Sequence, residues 1–302
     1  MVTSPSLDAG EGGSLLPRDS LFPAWHRFPQ QPGPRPGDTL GATLGRLEVR
    51  LATCPEDVRR AQRLRFDVFH AAETAMGTAR DPGGQLDSDR FDEVCDHLLV
   101  VDLGAGGADR PPVVATARLL RQDRAHRSGF YSAGEFDLAP MLASHPDRSF
   151  VELGRSCVRE DYRTGRTIEL LWHGIWAYTR RHGGDVLFGC ASFPGTDPAR
   201  LAAPLSFLHH HALAPAEWRV RARPSLSVPM DRLRAAAVDR RRAVASLPPL
   251  LKAYLRLGAG IGDGAVVDPE FGTTDVFVVL PIERIGPRYL GHFGPRGAGL
   301  RM

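Results

Sequence analysis

The run Glu152-Leu153-Gly154-Arg155-Ser156-Cys157-Val158 places a carboxylate three positions before a guanidinium, with a glycine between them. A carboxylate can take a proton from an attacking ammonium, directly or through water, and an arginine can clamp a carboxylate with two parallel hydrogen bonds. In a regular strand Glu152 and Gly154 face one way and Leu153 and Arg155 the other; a bulge at Gly154 would re-aim the pair. The same residues also suit a Glu–Arg ion pair that only stabilises the strand, and the run alone supports both readings. Arg118, late in the preceding apolar run, either reaches the same cleft or lies at the surface.

Two further segments offer chemistry. Arg163, Gly165 and Arg166 open a helical pattern in Tyr162-Arg163-Thr164-Gly165-Arg166-Thr167. Free backbone N–H groups at such a start favour a phosphate, and the guanidiniums add charge; a plain basic helix start is the alternative. Tyr254, in Lys252-Ala253-Tyr254-Leu255-Arg256-Leu257-Gly258, is either a proton donor or a core tyrosine on an apolar helix face. His209-His210-His211 and Cys95-Asp96-His97 lack metal-site spacing, since three successive histidines point in three directions on a helix. Cys190 has no evident basic partner and Ser156 no Gly-x-Ser-x-Gly elbow. Neither a metal nor a tightly bound cofactor is expected.

These residues need elements to hold them. Leu47 to Leu51 alternates like a half-buried strand, and a helix follows, with Thr53 and Glu56 at capping-box spacing before the stripe Val58, Ala61, Leu64, Arg65 and Val68. Residues 77 to 92, dense in Gly and Asp, read as a long loop before the strand Leu98–Val101, which should pair antiparallel with Val113–Leu120 across a polar turn. Phe150–Val158 is a strand, 167 to 182 a helix stopped at Gly183-Gly184, Asp185–Ala191 a buried strand and 198 to 211 a helix. Strands at Trp218–Arg223, Gly264–Val267 and Thr273–Leu280, with a helix over Pro249–Leu257, complete the pattern.

Composition sets the bounds. The 302 residues are 42% hydrophobic and 24% charged, which fits a globular chain, and no apolar stretch approaches the roughly 18 residues of a membrane span. The net charge is +3, with Lys252 the only lysine. A mildly basic surface could attract anionic lipid, an acidic protein or nucleic acid, and the sum does not choose. Four scattered cysteines and no signal-peptide pattern indicate a cytoplasmic protein. Residues 1–45, rich in Pro, Gly and Ser, read as a disordered leader, 46–294 as the working domain and 295–302 as a flexible tail.

The element order is not the regular alternation of a doubly wound dinucleotide fold. It resembles the acyl-CoA N-acyltransferase (GNAT) fold, an α/β architecture with a central mixed, mostly antiparallel sheet flanked by helices. That resemblance implies two neighbouring parallel strands that splay apart to admit the donor's pantetheine arm, here those holding Glu152 and Phe188. The fold's usual pyrophosphate loop, Gln/Arg-x-x-Gly-x-Gly/Ala, is matched only at Gly165. An acyl carrier protein, with one phosphodiester beside an acidic surface, suits such a loop surrounded by arginines better than CoA does.

Longer segments resemble one family. They are Leu64-Arg65-Phe66-Asp67-Val68-Phe69, Phe91 to Val100, Gly129-Phe130-Tyr131-Ser132-Ala133-Gly134-Glu135-Phe136-Asp137-Leu138, Glu152 to Val158, Leu187 to Pro198 and Tyr254 to Leu280. Together they are similar to bacterial L-ornithine Nα-acyltransferases, over roughly residues 46 to 294. The resemblance implies transfer of a 3-hydroxyacyl chain from acyl carrier protein to the α-amino group of L-ornithine, the first step of ornithine-lipid synthesis. It implies Glu152 as the base or the group that positions it, Tyr254 as the acid for the leaving thiol, and Arg155 and Arg118 as residues that shape the cleft or hold the ornithine carboxylate. Arg118, Asp92, Asp96, Arg65 and Phe69 would serve the amino acid, with Asp92 and Asp96 foremost for its δ-ammonium. Arg163, Gly165, Arg166, Phe188 and Ser192 would line the acyl-phosphopantetheine. Peripheral contact with inner-membrane lipid is expected because the product is a lipid, and no nucleic-acid partner is. Acyl-homoserine-lactone synthases, with a similar Phe-rich first helix and Glu-x-x-Arg, are the alternative, as is a protein that binds acyl carrier protein without chemistry.

Overall fold

The computed structural model describes residues 40–70, 86–105 and 110–285. The expected leader up to residue 39, the part of the Gly- and Asp-rich loop from 77 to 85, the end of the expected domain from 286 to 294 and the tail lie outside the described residues. In chain order the elements are β1 (Ala42–Leu44), β2 (Leu47–Leu51), α1 (Pro55–Phe69), β3 (Asp96–Asp102), β4 (Val113–Arg121), α2 (Gln122–Ser128), β5 (Phe136–Asp137), α3 (Ala139–Ser144), β6 (Phe150–Val158) and α4 (Gly165–Arg181). They continue with β7 (Val186–Pro194), α5 (Ala202–Ala212), β8 (Arg221–Ala222), β9 (Ser227–Val228), α6 (Arg240–Ser246), α7 (Pro249–Leu257), β10 (Gly260–Asp268) and β11 (Thr273–Pro281).

The strands form one mixed sheet in the order β1-β2-β3-β4-β6-β7-β11-β10-β8-β5, with β9 against β10. Neighbours are antiparallel except β6 with β7 and β8 with β10. This is the mostly antiparallel α/β sheet flanked by helices that the sequence implies. No helix among the described residues is long and apolar enough to cross a membrane.

β3 shows why the sheet is covered on both faces. Its side chains alternate, so Leu98 and Val100 join Leu170, Leu171 and Ile175 of α4. Leu99 and Val101 instead meet Ala61 and Leu64 of α1 on the other face. All four are buried, and each such aliphatic side chain contributes about 1.5–3 kcal/mol relative to exposure. Gly174 lets α4 approach closely: a Cβ there would lie 2.5 Å from Val49 Cγ2. α4 begins where the Thr164 side chain accepts the Thr167 N–H, and the turn after it closes at Gly183, with φ +63°.

Several expectations change. β1 lies inside the stretch read as leader, because Ala42 and Leu44 pair with β2. The Thr53–Glu56 capping box does not form; Pro55 opens α1, and Asp57 instead accepts both the Thr53 N–H and the Arg50 guanidinium. Glu56 is left to pair with Arg59 at the surface. The expected strand Trp218–Arg223 shrinks to Arg221–Ala222, and the helix expected from 198 starts at Ala202, since Asp197 holds residue 199 in a turn. α2, α3 and α6 are short helices that the periodicity did not announce.

Candidate active site

β6 and β7 run side by side only at Phe150–Val186, Val151–Leu187 and Glu152–Phe188. Beyond that point they pair with other strands and part. β7 stays in register with β11 as far as Pro194–Thr273, while β6 follows β4 through a bulge between Thr116–Cys157 and Arg118–Gly154. Arg155 and Ser156 therefore face Ala117 alone, and Arg155 takes φ +48°. That left-handed conformation costs a non-glycine residue about 1–2 kcal/mol. It turns the Arg155 side chain into the fork. A cavity of about 520 Å³ opens there, lined by Gly154, Arg155 and Ser156 on one prong and Cys190, Ala191, Ser192 and Pro194 on the other. Phe69, Arg118, Glu152, Tyr254 and the β10–β11 turn complete its walls.

Glu152 sits at the base of the fork, 4% exposed. Its two carboxylate oxygens accept the backbone N–H groups of Tyr131 and Ser132, each at 2.7 Å. Burial pushes its pKa up, and the hydrogen bonds from Ser132 and Tyr131 and the charge of Arg118 oppose that shift without cancelling it. No Glu152–Arg155 ion pair forms among the described residues; each of the two is held by other partners.

Arg155 instead lies between two rings, its guanidinium carbon 4.8 Å from the centre of Tyr131 and 4.6 Å from that of Phe271. It pairs with Asp87 and Asp89, both at 3.2 Å. Arg118 donates to Asp89 at 2.6 Å and Asp92 at 3.0 Å. Arg65 donates to Asp87 at 2.9 Å and to both oxygens of Asp92 at 2.8 Å. Burial alone would raise the pKa of Asp92, but Arg65, Gln62 and Arg118 hold it below the usual carboxylate range. Three arginines and three aspartates thus fix α1, the loop before β3, β4 and β6 to one another behind the cavity.

The structure brings six of the sequence-derived residues to the cavity: Phe69, Arg118, Glu152, Arg155, Ser192 and Tyr254. Burial and the nearby Cys190 raise the pKa of the Tyr254 phenol, which keeps its proton. Other residues are placed elsewhere. Arg65 is 1% exposed and fully engaged with Asp87 and Asp92. Asp92, expected to meet an ammonium, is consumed by that network. Asp96 faces away, accepting Tyr178 Oη at 2.5 Å and Arg124 at 3.0 Å. Phe188 packs in the core against Phe130 and Phe277. Arg163, Gly165 and Arg166 are exposed at the start of α4, just past the end of β6. Among the three histidines, His210 contacts the Leu233 carbonyl oxygen at 2.7 Å and His209 lies 3.9 Å from Asp263.

Sequence reasoning missed a second acidic group. Glu135, Asp268 and Asp275 offer carboxylate oxygens within 4.8 Å of one another, and Asp268 and Asp275 line the cavity. Glu135 lay in a quoted segment and the aspartates flank the β10–β11 turn, but nothing in their spacing signals that they meet. This is the one group of described residues whose donors could hold a cation. The Cys190 thiol lies 3.4 Å from Ser132 Oγ and 3.5 Å from Glu135 Oε2, and burial together with Glu135 pushes its pKa well up, so it is no nucleophile.

The chain is similar to known acyltransferases. Residues 64–173 match the family model described as acetyltransferase (GNAT) domain. An L-ornithine N(alpha)-acyltransferase of Brucella abortus (strain 2308) is 50% identical over 252 residues, covering 83% of this chain and 90% of that protein. The protein of the same name from Rhizobium meliloti (strain 1021) is 49% identical over 258 residues, covering 85% and 87%. The solved structure of an N-acyl amino acid synthase from uncultured soil microbes overlays with a TM-score of 0.43 at 8% identity, covering 80% of this chain and 95% of that one. At this level of identity and coverage, the chain belongs to the L-ornithine N(alpha)-acyltransferase family, a family of N-acyltransferases.

Proposed function

We propose that the protein transfers a 3-hydroxyacyl group from acyl carrier protein to the α-amino group of L-ornithine, giving lyso-ornithine lipid. The observation that carries this reading is the cavity in the β6–β7 fork, with a buried carboxylate at its base and a protonated phenol on its wall. A pantetheine arm entering the fork would set its thioester between Glu152 and Tyr254. The α-ammonium gives one proton to Glu152, directly or through water, and the neutral amine attacks the thioester carbonyl. The C–N bond forms, the C–S bond breaks, Tyr254 gives its proton to the departing thiolate, and the second proton shed by the acylated nitrogen returns through water to the Tyr254 phenolate. Arg155, held between Tyr131 and Phe271, is the cation placed to attract the amino-acid carboxylate.

The exposed start of α4 supports a carrier-protein donor. Arg163 and Arg166 flank free N–H groups that suit one phosphodiester, and their charge suits an acidic partner. The product is an amphiphile, which favours work at the inner face of the cytoplasmic membrane. The test is incubation of the purified protein with 3-hydroxyacyl carrier protein and a panel of amines, followed by mass spectrometry. Acyl-ornithine is the expected product. Acylation of S-adenosylmethionine, or no product from any amine, overturns the reading.

A further inference from the structure

The expected partners for the acceptor's side chain, Asp92 and Asp96, are engaged by other residues, yet the cavity holds uncompensated acid. Asp275 is 6% exposed on β11, and its Oδ1 makes no hydrogen bond. The Thr273 and Ser192 hydroxyls face the Asp275 carboxyl and lower its pKa, but neither brings a positive charge. All three residues line the cavity. Asp268 closes β10 opposite Thr273, and its Oδ1 already accepts the Glu270 and Phe271 N–H groups at 2.8 and 3.1 Å. Glu135 comes from the turn whose N–H groups hold Glu152. The three carboxyls lie within 4.8 Å of one another, and the charge of Arg155 lowers the pKa of Glu135 and of Asp275 without cancelling the upward shift.

Such a cluster lacks a cation. Burial and the neighbouring Asp275 push Glu135 up to about 7, and burial with Asp268 raises Asp275 as well. A bound cation would relieve the repulsion and pair the free oxygen of Asp275. An alkylammonium carries three N–H donors in a tripod, which suits a cluster of three carboxyls, two of them, Asp268 and Asp275, on the cavity wall. A calcium ion takes roughly six to eight oxygens; of the six that these carboxyls carry, Asp268 Oδ1 already accepts two backbone N–H groups.

We propose that Glu135, Asp268 and Asp275 bind the side-chain ammonium of the acceptor and thereby select a diamino acid over one with a neutral side chain. This rests on the reading of the cavity as an amino-acid N-acyltransferase site. It also sets the acceptor's orientation. The α-amine points to Glu152, the carboxylate to Arg155 and the aliphatic arm past Cys190 towards the acidic wall.

The test compares the wild-type protein with Asp275→Asn and Asp268→Asn. Acyl transfer is measured from 3-hydroxyacyl carrier protein to L-ornithine and to L-2-aminopentanoate, the same skeleton without the δ-amine. Calorimetric binding of both amino acids, without donor, runs alongside. The wild type should prefer ornithine in kcat/KM by on the order of 10- to 100-fold, the worth of a hydrogen-bonded charge. Each variant should lose most of that preference, through a higher KM for ornithine. Asn at 268 can still accept the two turn N–H groups, so this variant guards against misfolding at 275.

An unchanged preference in folded variants overturns the inference while leaving the acyltransferase reading intact. Calorimetric ornithine binding that depends on Asp275, without transfer to any amine, supports the inference and defeats the acyltransferase reading instead. Binding of Ca²⁺, Mg²⁺ or Mn²⁺ that is lost in Asp275→Asn and that excludes ornithine overturns the ammonium assignment.

Discussion

Gly189 approaches Leu153 so closely that a Cβ on it would lie 2.2 Å from the Leu153 carbonyl oxygen. This contact lies one residue beyond the last paired position of β6 and β7, Glu152–Phe188. The two strands are in backbone contact there and diverge immediately after, so the glycine marks where the fork begins.

Gly189→Ala should therefore fail at the backbone. The methyl meets a main-chain oxygen with no flexible group to give way, and overpacking of this kind costs about 1–3 kcal/mol. Thermal unfolding should show that loss, and acyl transfer should fall with it because the fork is re-spaced. Gly154 is the contrast: a Cβ there meets nothing within 4 Å, so Gly154→Ala should change stability by less than about 0.5 kcal/mol. Equal stability losses in the two variants would contradict this account.

Glu152→Gln separates two roles. The carboxamide can accept only one of the Tyr131 and Ser132 N–H groups with its oxygen and sets its own N–H₂ against the other, so a stability loss of about 1–3 kcal/mol is expected. As the base, Glu152 should also account for about a 100-fold or larger fall in turnover. The pH–rate profile of folded Glu152→Gln should lose its acidic limb. A near-normal rate in the folded variant removes Glu152 from proton transfer and leaves it as the anchor of the 131–134 turn.

Asp92 is engaged by Arg65, Arg118 and Gln62, so Asp92→Asn should act on stability. It leaves Arg65 and Arg118 each short of a buried partner, and breaking a buried ion pair costs about 3–5 kcal/mol. Denaturant unfolding measures this directly. The ratio of ornithine to 2-aminopentanoate turnover should stay at the wild-type value in any fraction that folds.

The acidic wall gives a pH signature in the absence of acceptor. Glu135 has its folded pKa raised from 4.5 to about 7, so the folded state holds a proton that the unfolded chain releases earlier. Its contribution to stability is full below about 4.5 and is lost as pH rises to about 7. Glu152 and Asp275 are shifted in the same direction; Asp57 and Asp92 are shifted down and act at lower pH. His97, lowered by burial, opposes the trend near its ordinary 6.5. The difference in melting temperature between wild type and Glu135→Gln should therefore move against the wild type as pH rises from 4.5 to 7. A difference that stays flat, or has the opposite sign, contradicts the shift.

Charge reversal at the start of α4 should act on the donor alone. Arg166→Glu, and Arg163→Glu separately, should each raise KM for the carrier-protein donor roughly three- to fivefold at low salt, the scale of an exposed charge pair, with kcat little changed. The effect should fade at high salt. An unchanged KM places the carrier protein on another face.

Much of this molecule was legible in its sequence because its signals are local. β2, β6 and α7 fall where alternation and helical spacing put them, and Pro249 and Gly258 bound α7 through one-residue conformational rules. Glu152, Arg155, Arg118 and Tyr254 were identified by type, spacing and resemblance. What each does was decided by distant chain. Arg155 points into the fork because β4 holds two residues of β6 opposite one of its own. Asp92 became an internal ion partner because α1 and β4 bring Arg65 and Arg118 to it from 27 and 26 residues away. Glu135 meets Asp268 and Asp275, more than 130 residues further along the chain, because β5 beside it pairs with β8, β8 with β10 and β10 with β11. Periodicity reports which face of an element is apolar. Which charged groups end up within a few ångströms of one another is set by strand order and register, and no local spacing carries that.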